Sequence, residues 1–131
     1  MLNNPESSLL DKTTANIDLP HALQKSGGKE QNLLKIIRMF VQHHSKDLAD
    51  LQQAKEQQDY ESAGKLIHTL AGIASFVGAL ELESKAQTYN QAFHLAQRDK
   101  LANLLDDVLI CLPLVLSDLN ALIASQDVAE G

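Results

Sequence analysis

The chain has a single cysteine, Cys111, no tryptophan, and only two tyrosines and three phenylalanines among 131 residues. One thiol closes no internal disulfide, which excludes a small stapled scaffold. So few rings leave the core to aliphatic side chains, and a leucine- and alanine-rich aliphatic core suits helix packing. Cations are also scarce. Eleven Lys and Arg against seventeen Asp and Glu give a net charge of −6, the reverse of the clustered basic footprint that nucleic acid requires. The same acidity gives no attraction to a membrane surface. No N-terminal apolar run resembles a signal peptide or spans a bilayer. The expectation is a cytoplasmic protein that contacts neither nucleic acid nor membrane. Its length and 44% hydrophobic content suffice for one domain with its own core and fall short of two.

Residues 1–16 are polar and aperiodic and read as a flexible tail or as the end of a linker from a larger chain. In IDLPHALQKSGG, Asp18 is a candidate N-cap, Pro20 sits early and Gly27 and Gly28 close the segment, which predicts a short lead-in helix. From Lys29 to about Gln57 the spacing of Leu33, Ile37, Phe40, His44, Leu48 and Leu51 predicts one unbroken amphipathic helix. Asp59 caps a helix over Tyr60 to Val77 that ends at Gly78. Leu82, Ala86, Tyr89, Phe93 and Ala96 mark the next, to about Gln97. Leu101, Leu105, Val108, Leu112, Val115, Leu119 and Leu122 mark the last, which Pro113 is expected to kink or split. The fold class is all-α: an antiparallel up-down four-helix bundle over residues 17–126 with a short N-terminal lead-in helix, and a C-terminal tail at 127–131. A monomer is expected.

His68 stands out within KLIHTLAGIASFVGAL. At about 100° per residue, its own face collects Glu61, Gly64, Lys65, Ala71, Gly72 and Ser75, while Ala63, Leu66, Leu70, Ile73 and Val77 form the apolar stripe opposite. His68 therefore points to solvent. Interior helix glycines cost roughly 1 kcal/mol each relative to alanine, and two beside one histidine have a physical use if they clear space around the ring. A solvated imidazole has, in its neutral form, a nitrogen able to attack an activated phosphoryl group. The bland reading, a histidine on a solvated face with incidental glycines, is equally compatible with composition alone. The other histidines, His21, His43, His44 and His94, show no metal-ligand spacing, and His44 falls at the core edge. Cys111 reads as inert core filling. Glu81/Glu83 and Asp106/Asp107 read as solvated faces.

The stretch HTLAGIASFVGALELESKAQTYNQAF resembles the signature of histidine-containing phosphotransfer (HPt) domains. His68, Leu70, Gly72, Ala74, Gly78, Ala79 and Leu82 fall at that pattern's offsets, and the resemblance extends over about Ile17 to Ser125. It implies a phosphoryl carrier in a multistep His-Asp phosphorelay, with His68 as the phospho-accepting nucleophile. Receiver domains of response regulators or of a hybrid sensor kinase would dock on Gly64, Ala71, Gly72 and Ser75. The chain would be a transfer intermediate and not an enzyme, with no cofactor of its own and Mg²⁺ on the partner receiver. Ala71 departs from the family, which commonly has lysine there. Lys65, one turn earlier, is the expected substitute support for the phosphate, and Asn90 falls where some members carry a glutamine. Two rivals stay open: an HPt-like docking module that is not phosphorylated, and a small helical-bundle metal or ligand carrier.

Overall fold

The computed structural model of the chain describes residues 14–130, with side chains through Gln126. Residues 1–13 of the tail expected at 1–16, and Gly131, lie outside the described residues. Within them every element is helical: α1 Leu19–Lys25, α2 Glu30–His44, α3 Asp47–Glu56, α4 Tyr60–Ile73, a 3₁₀ turn Ala74–Val77, α5 Leu80–His94 and α6 Arg98–Glu130. The Asp18 carboxylate accepts from the His21 backbone N–H at 3.0 Å, Pro20 occupies the first turn of α1, and the helix stops before Gly27 and Gly28. Asn16, placed in the tail by the sequence reading, donates its backbone N–H and its side-chain amide to Asp118 on α6, at 3.1 and 3.0 Å.

Gly78 makes the hairpin between α4 and α5. Its φ is +77°, and a Cβ there would stand 2.4 Å from the Asp18 carbonyl oxygen, while the Asp18 N–H donates back to the Gly78 carbonyl at 2.8 Å. Both the backbone conformation and the close approach require glycine. The residues on either side of this hairpin meet across it, so α4 packs along α5. Further packed pairs include α5 on α6, α3 on both α4 and α6, α2 on α6, and α1 and α2 on the 3₁₀ turn.

Three expectations are corrected. The single helix from Lys29 to Gln57 is two, α2 ending at His44 and α3 starting at Asp47, with Ser45 and Lys46 as a turn between them. The Ser45 hydroxyl donates to the Val41 carbonyl one turn back, a bond that competes with the ladder and bends helices. His44 Nδ1 lies 2.8 Å from Asp47 Oδ2 across the break, and the His44 ring packs 4.9 Å from that of Phe40. Second, Pro113 does not split the last helix, which runs through it for 33 residues. An interior proline costs about 3 kcal/mol, but Leu112, Val115 and Leu116 beside it are buried, and each such burial contributes about 1.5–3 kcal/mol. Third, α6 continues as helical backbone to Glu130, into the segment expected as a tail.

The predicted stripe of α6, Leu101, Leu105, Val108, Leu112, Val115, Leu119 and Leu122, is buried throughout and forms the floor of the core. By length and composition, Arg98–Gln126 is apolar enough to cross a membrane, a property shared by core helices of this kind. On α5 the buried set is Leu82, Ala86, Tyr89 and Ala92. Ala96, expected in that stripe, is instead an exposed turn residue at φ +57°. Cys111 is buried, and that burial pushes its thiol up to about 11, consistent with a packing role.

Candidate functional site

The site begins with a cap. The Asp59 carboxylate accepts from the Ser62 hydroxyl at 2.7 Å and from the Ser62 N–H at 3.1 Å. The hydroxyl bond above all, then the backbone bond and the Lys65 charge, holds that carboxyl below the usual carboxylate range. The helix so started buries Ala63, Ile67 and Leu70, followed by Ala74 and Val77 in the 3₁₀ turn. Leu66 and Ile73, expected in the stripe, are only half-buried, because α4 packs chiefly against α5 and its core face is rotated toward that neighbour. His68 lies outside the buried sector and is exposed.

Across the hairpin, Gly64 faces two rings of α5. A Cβ on Gly64 would lie 3.7 Å from Tyr89 Cε1 and 3.9 Å from Phe93 Cδ2. The fully buried Tyr89 donates its hydroxyl to the Tyr60 carbonyl at 2.9 Å, which fixes the two helices against each other. Between them runs an open groove of about 440 Å³, with Glu61, Gly64, Lys65 and His68 on the α4 side and Asn90, Phe93 and His94 on the α5 side. The structure thus brings together four residues expected at the site: His68, Lys65, Gly64 and Asn90. Phe93 and His94 were missed. The signal for them was the hairpin at Gly78, since residues equidistant from it meet, and Phe93 is about as far after it as Gly64 is before it.

The rest of the expected face is divided. Gly72 is exposed with no heavy atom within 4 Å of a Cβ position. Ala71 is half-buried against the core edge. Ser75 is a correction: it is buried, with its hydroxyl 2.9 Å from His21 Nε2. The wheel placed Ser75 on the right side of the helix, but α1 folds over the 3₁₀ turn and covers it. Phe76 next to it stays 40% exposed with the Lys25 ammonium 5.6 Å from its ring centre.

The other imidazoles occupy different surroundings. His21 is engaged with Ser75 and His44 with Asp47, while His43 and His94 are exposed. Among the described residues no three His, Cys, Asp or Glu side chains converge where a metal ion would be held. What the groove offers is a solvent-facing nucleophilic nitrogen, an ammonium and an amide nearby, and a bare helix surface one turn beyond at Gly72. That combination suits attack on a group presented by another macromolecule better than binding of an enclosed small molecule.

Compared with known families, residues 35–126 match the family model described as Hpt domain. No curated protein and no solved structure matches the chain.

Proposed function

This chain belongs to the Hpt domain family, whose members transfer phosphoryl groups in His-Asp phosphorelays with receiver domains as partners, and from that premise we propose that it is a phosphoryl carrier working through His68. The observation that carries the reading is the exposed imidazole of His68 at the mouth of the α4–α5 groove, inside the matched residues and followed by the open surface at Gly72. In this reading the chain is an up-and-down four-helix bundle with α1 as a lead-in helix, a cytoplasmic monomer and a transfer intermediate that has no turnover of its own.

A receiver bearing an aspartyl phosphate, with Mg²⁺ expected on the receiver, docks over α4. The imidazole lone pair forms a nitrogen–phosphorus bond as the phosphorus–oxygen bond to the aspartate breaks. The carboxylate leaves with the electron pair, and the proton on the other ring nitrogen is free to pass to solvent. The reverse sequence delivers the group to a second receiver. Positioning and charge neutralisation dominate this chemistry, so the chain needs to supply little beyond an accessible nitrogen and local support. Lys65 and Asn90 are the proposed supports, with Ala71 lacking the ammonium common in the family. Lys65 is exposed, so its contribution is below about 1 kcal/mol.

Incubation of the purified chain with phosphorylated receiver domains tests the proposal. Label should move to the chain and back, and His68→Gln should abolish both directions with an unchanged circular dichroism spectrum. Transfer that survives in the folded His68→Gln protein would assign the chemistry elsewhere.

A further inference from the structure

Gly64 sits in the interior of α4, where glycine is disfavoured relative to alanine. Its φ is not left-handed, and the distances from its Cβ position to Tyr89 and Phe93, 3.7 and 3.9 Å, are ordinary contacts that an alanine would make without strain. Neither backbone nor packing demands glycine here. The missing side chain leaves the half-buried Phe93 ring uncovered at the bottom of a groove whose wall includes His68. A concave apolar surface rimmed by polar groups is where interfaces seat their anchor side chains.

We propose that this groove is a specificity pocket for the receiver. An uncharged apolar side chain of the receiver inserts between α4 and α5 onto the Phe93 ring, with Lys65 and Asn90 at the rim. The proposal rests on the phosphocarrier reading. Its occupant follows from continuity: a protein that brings an aspartyl phosphate to His68 must cover the groove, because His68 is part of its wall. An apolar insert releases water from the ring, whereas a charged insert would lose hydration against it without a buried partner. The pocket therefore governs which receiver docks and how tightly, and leaves the rate of transfer within the docked pair to His68 and the receiver.

The experiment charges the full chain with phosphoramidate and mixes it with a panel of isolated receiver domains and Mg²⁺, and the receiver that takes the phosphate fastest becomes the probe. Gly64→Leu fills the groove, Phe93→Ala removes its floor, and Thr88→Ala, exposed on α5 outside the groove, is the control. The half-saturating receiver concentration should rise at least about tenfold in the first two variants, the size of an interface anchor, with the rate at saturation changed less than about threefold. Thr88→Ala should match the parent. Thermal melting checks each fold, and Gly64→Leu decides the matter if Phe93→Ala melts early, because its Cβ makes only ordinary contacts with Tyr89 and Phe93 and the rest of the side chain has the open groove to occupy. Parental half-saturation in folded Gly64→Leu overturns the pocket alone. Failure of the charged parent to pass phosphate to any receiver overturns the phosphocarrier reading, and the pocket with it.

Discussion

Gly72 and Tyr89 show how differently two residues near one histidine are constrained. At exposed Gly72 a Cβ would have no heavy atom within 4 Å beyond its own stretch of helix, so Gly72→Leu should raise helix stability by roughly 0.5–1 kcal/mol while standing in the path of a docking receiver. A higher melting temperature combined with at least about tenfold slower transfer is the expected outcome, checked by calorimetry and phosphotransfer kinetics on one preparation. Tyr89 is the opposite case. Burial, followed by the Tyr60 and Asp59 charges, pushes its phenol from 10.0 to about 12. The folded value lies above the unfolded one, so this stabilisation is fully present below about pH 10 and lost as pH rises toward about 12. Tyr89→Phe should flatten that alkaline loss and cost roughly 0.5–1.5 kcal/mol at neutral pH for the missing bond to Tyr60, as read from urea midpoints across the alkaline range. His68 and Gly72 were legible in the sequence because exposure on a helix follows from the local period once an apolar stripe is set. Ser75 was not, because the residue that covers it, His21, is 54 positions away.

At the scale of elements, the two turns that adopt a left-handed conformation without glycine invite a test. Gln58 after α3 and Ala96 after α5 adopt φ of +54° and +57°, and each is followed by a residue whose N–H reaches back across the helix end, Asp59 to Ala54 and Gln97 to Ala92, at 2.8 and 2.9 Å. This is the left-handed helix ending that glycine fills without strain. Gln58→Gly and Ala96→Gly should each stabilise the protein by roughly 0.5–1 kcal/mol, additively because the sites are on separate turns. Unchanged or lowered denaturant midpoints would count against the strain assigned to these turns. Helix existence and the α6 stripe were legible from periodicity alone. The division of α2 from α3 was not, since neither glycine nor proline marks it and both Ser45 and Lys46 keep right-handed helical dihedrals. It arises from the Ser45 hydroxyl and the His44–Asp47 pair. Pro113 leaves α6 unsplit, because burial on both sides of it outweighs the local cost.

On the scale of the whole molecule, α6 is the surface against which α2, α3 and α5 are arranged, and the Asn16–Asp118 bonds tie the segment before α1 to it. The α4–α5 hairpin then presents His68 on one side while Tyr89 closes the other. Fold class was readable from the scarcity of aromatics and the three- and four-residue periods. The groove was not, because it depends on which residues two helices bring together. The central claim is that one imidazole of the five in the chain carries the phosphoryl group. Its most direct test is to phosphorylate the full chain from a receiver, digest under alkaline conditions that preserve phosphohistidine, and locate the phosphate by mass spectrometry. The expected result is acid-labile phosphate on the peptide containing His68 and on no other. Phosphate on His94 or His43, the other exposed imidazoles, or a chain that takes up none from receivers that phosphorylate another HPt protein, would contradict it.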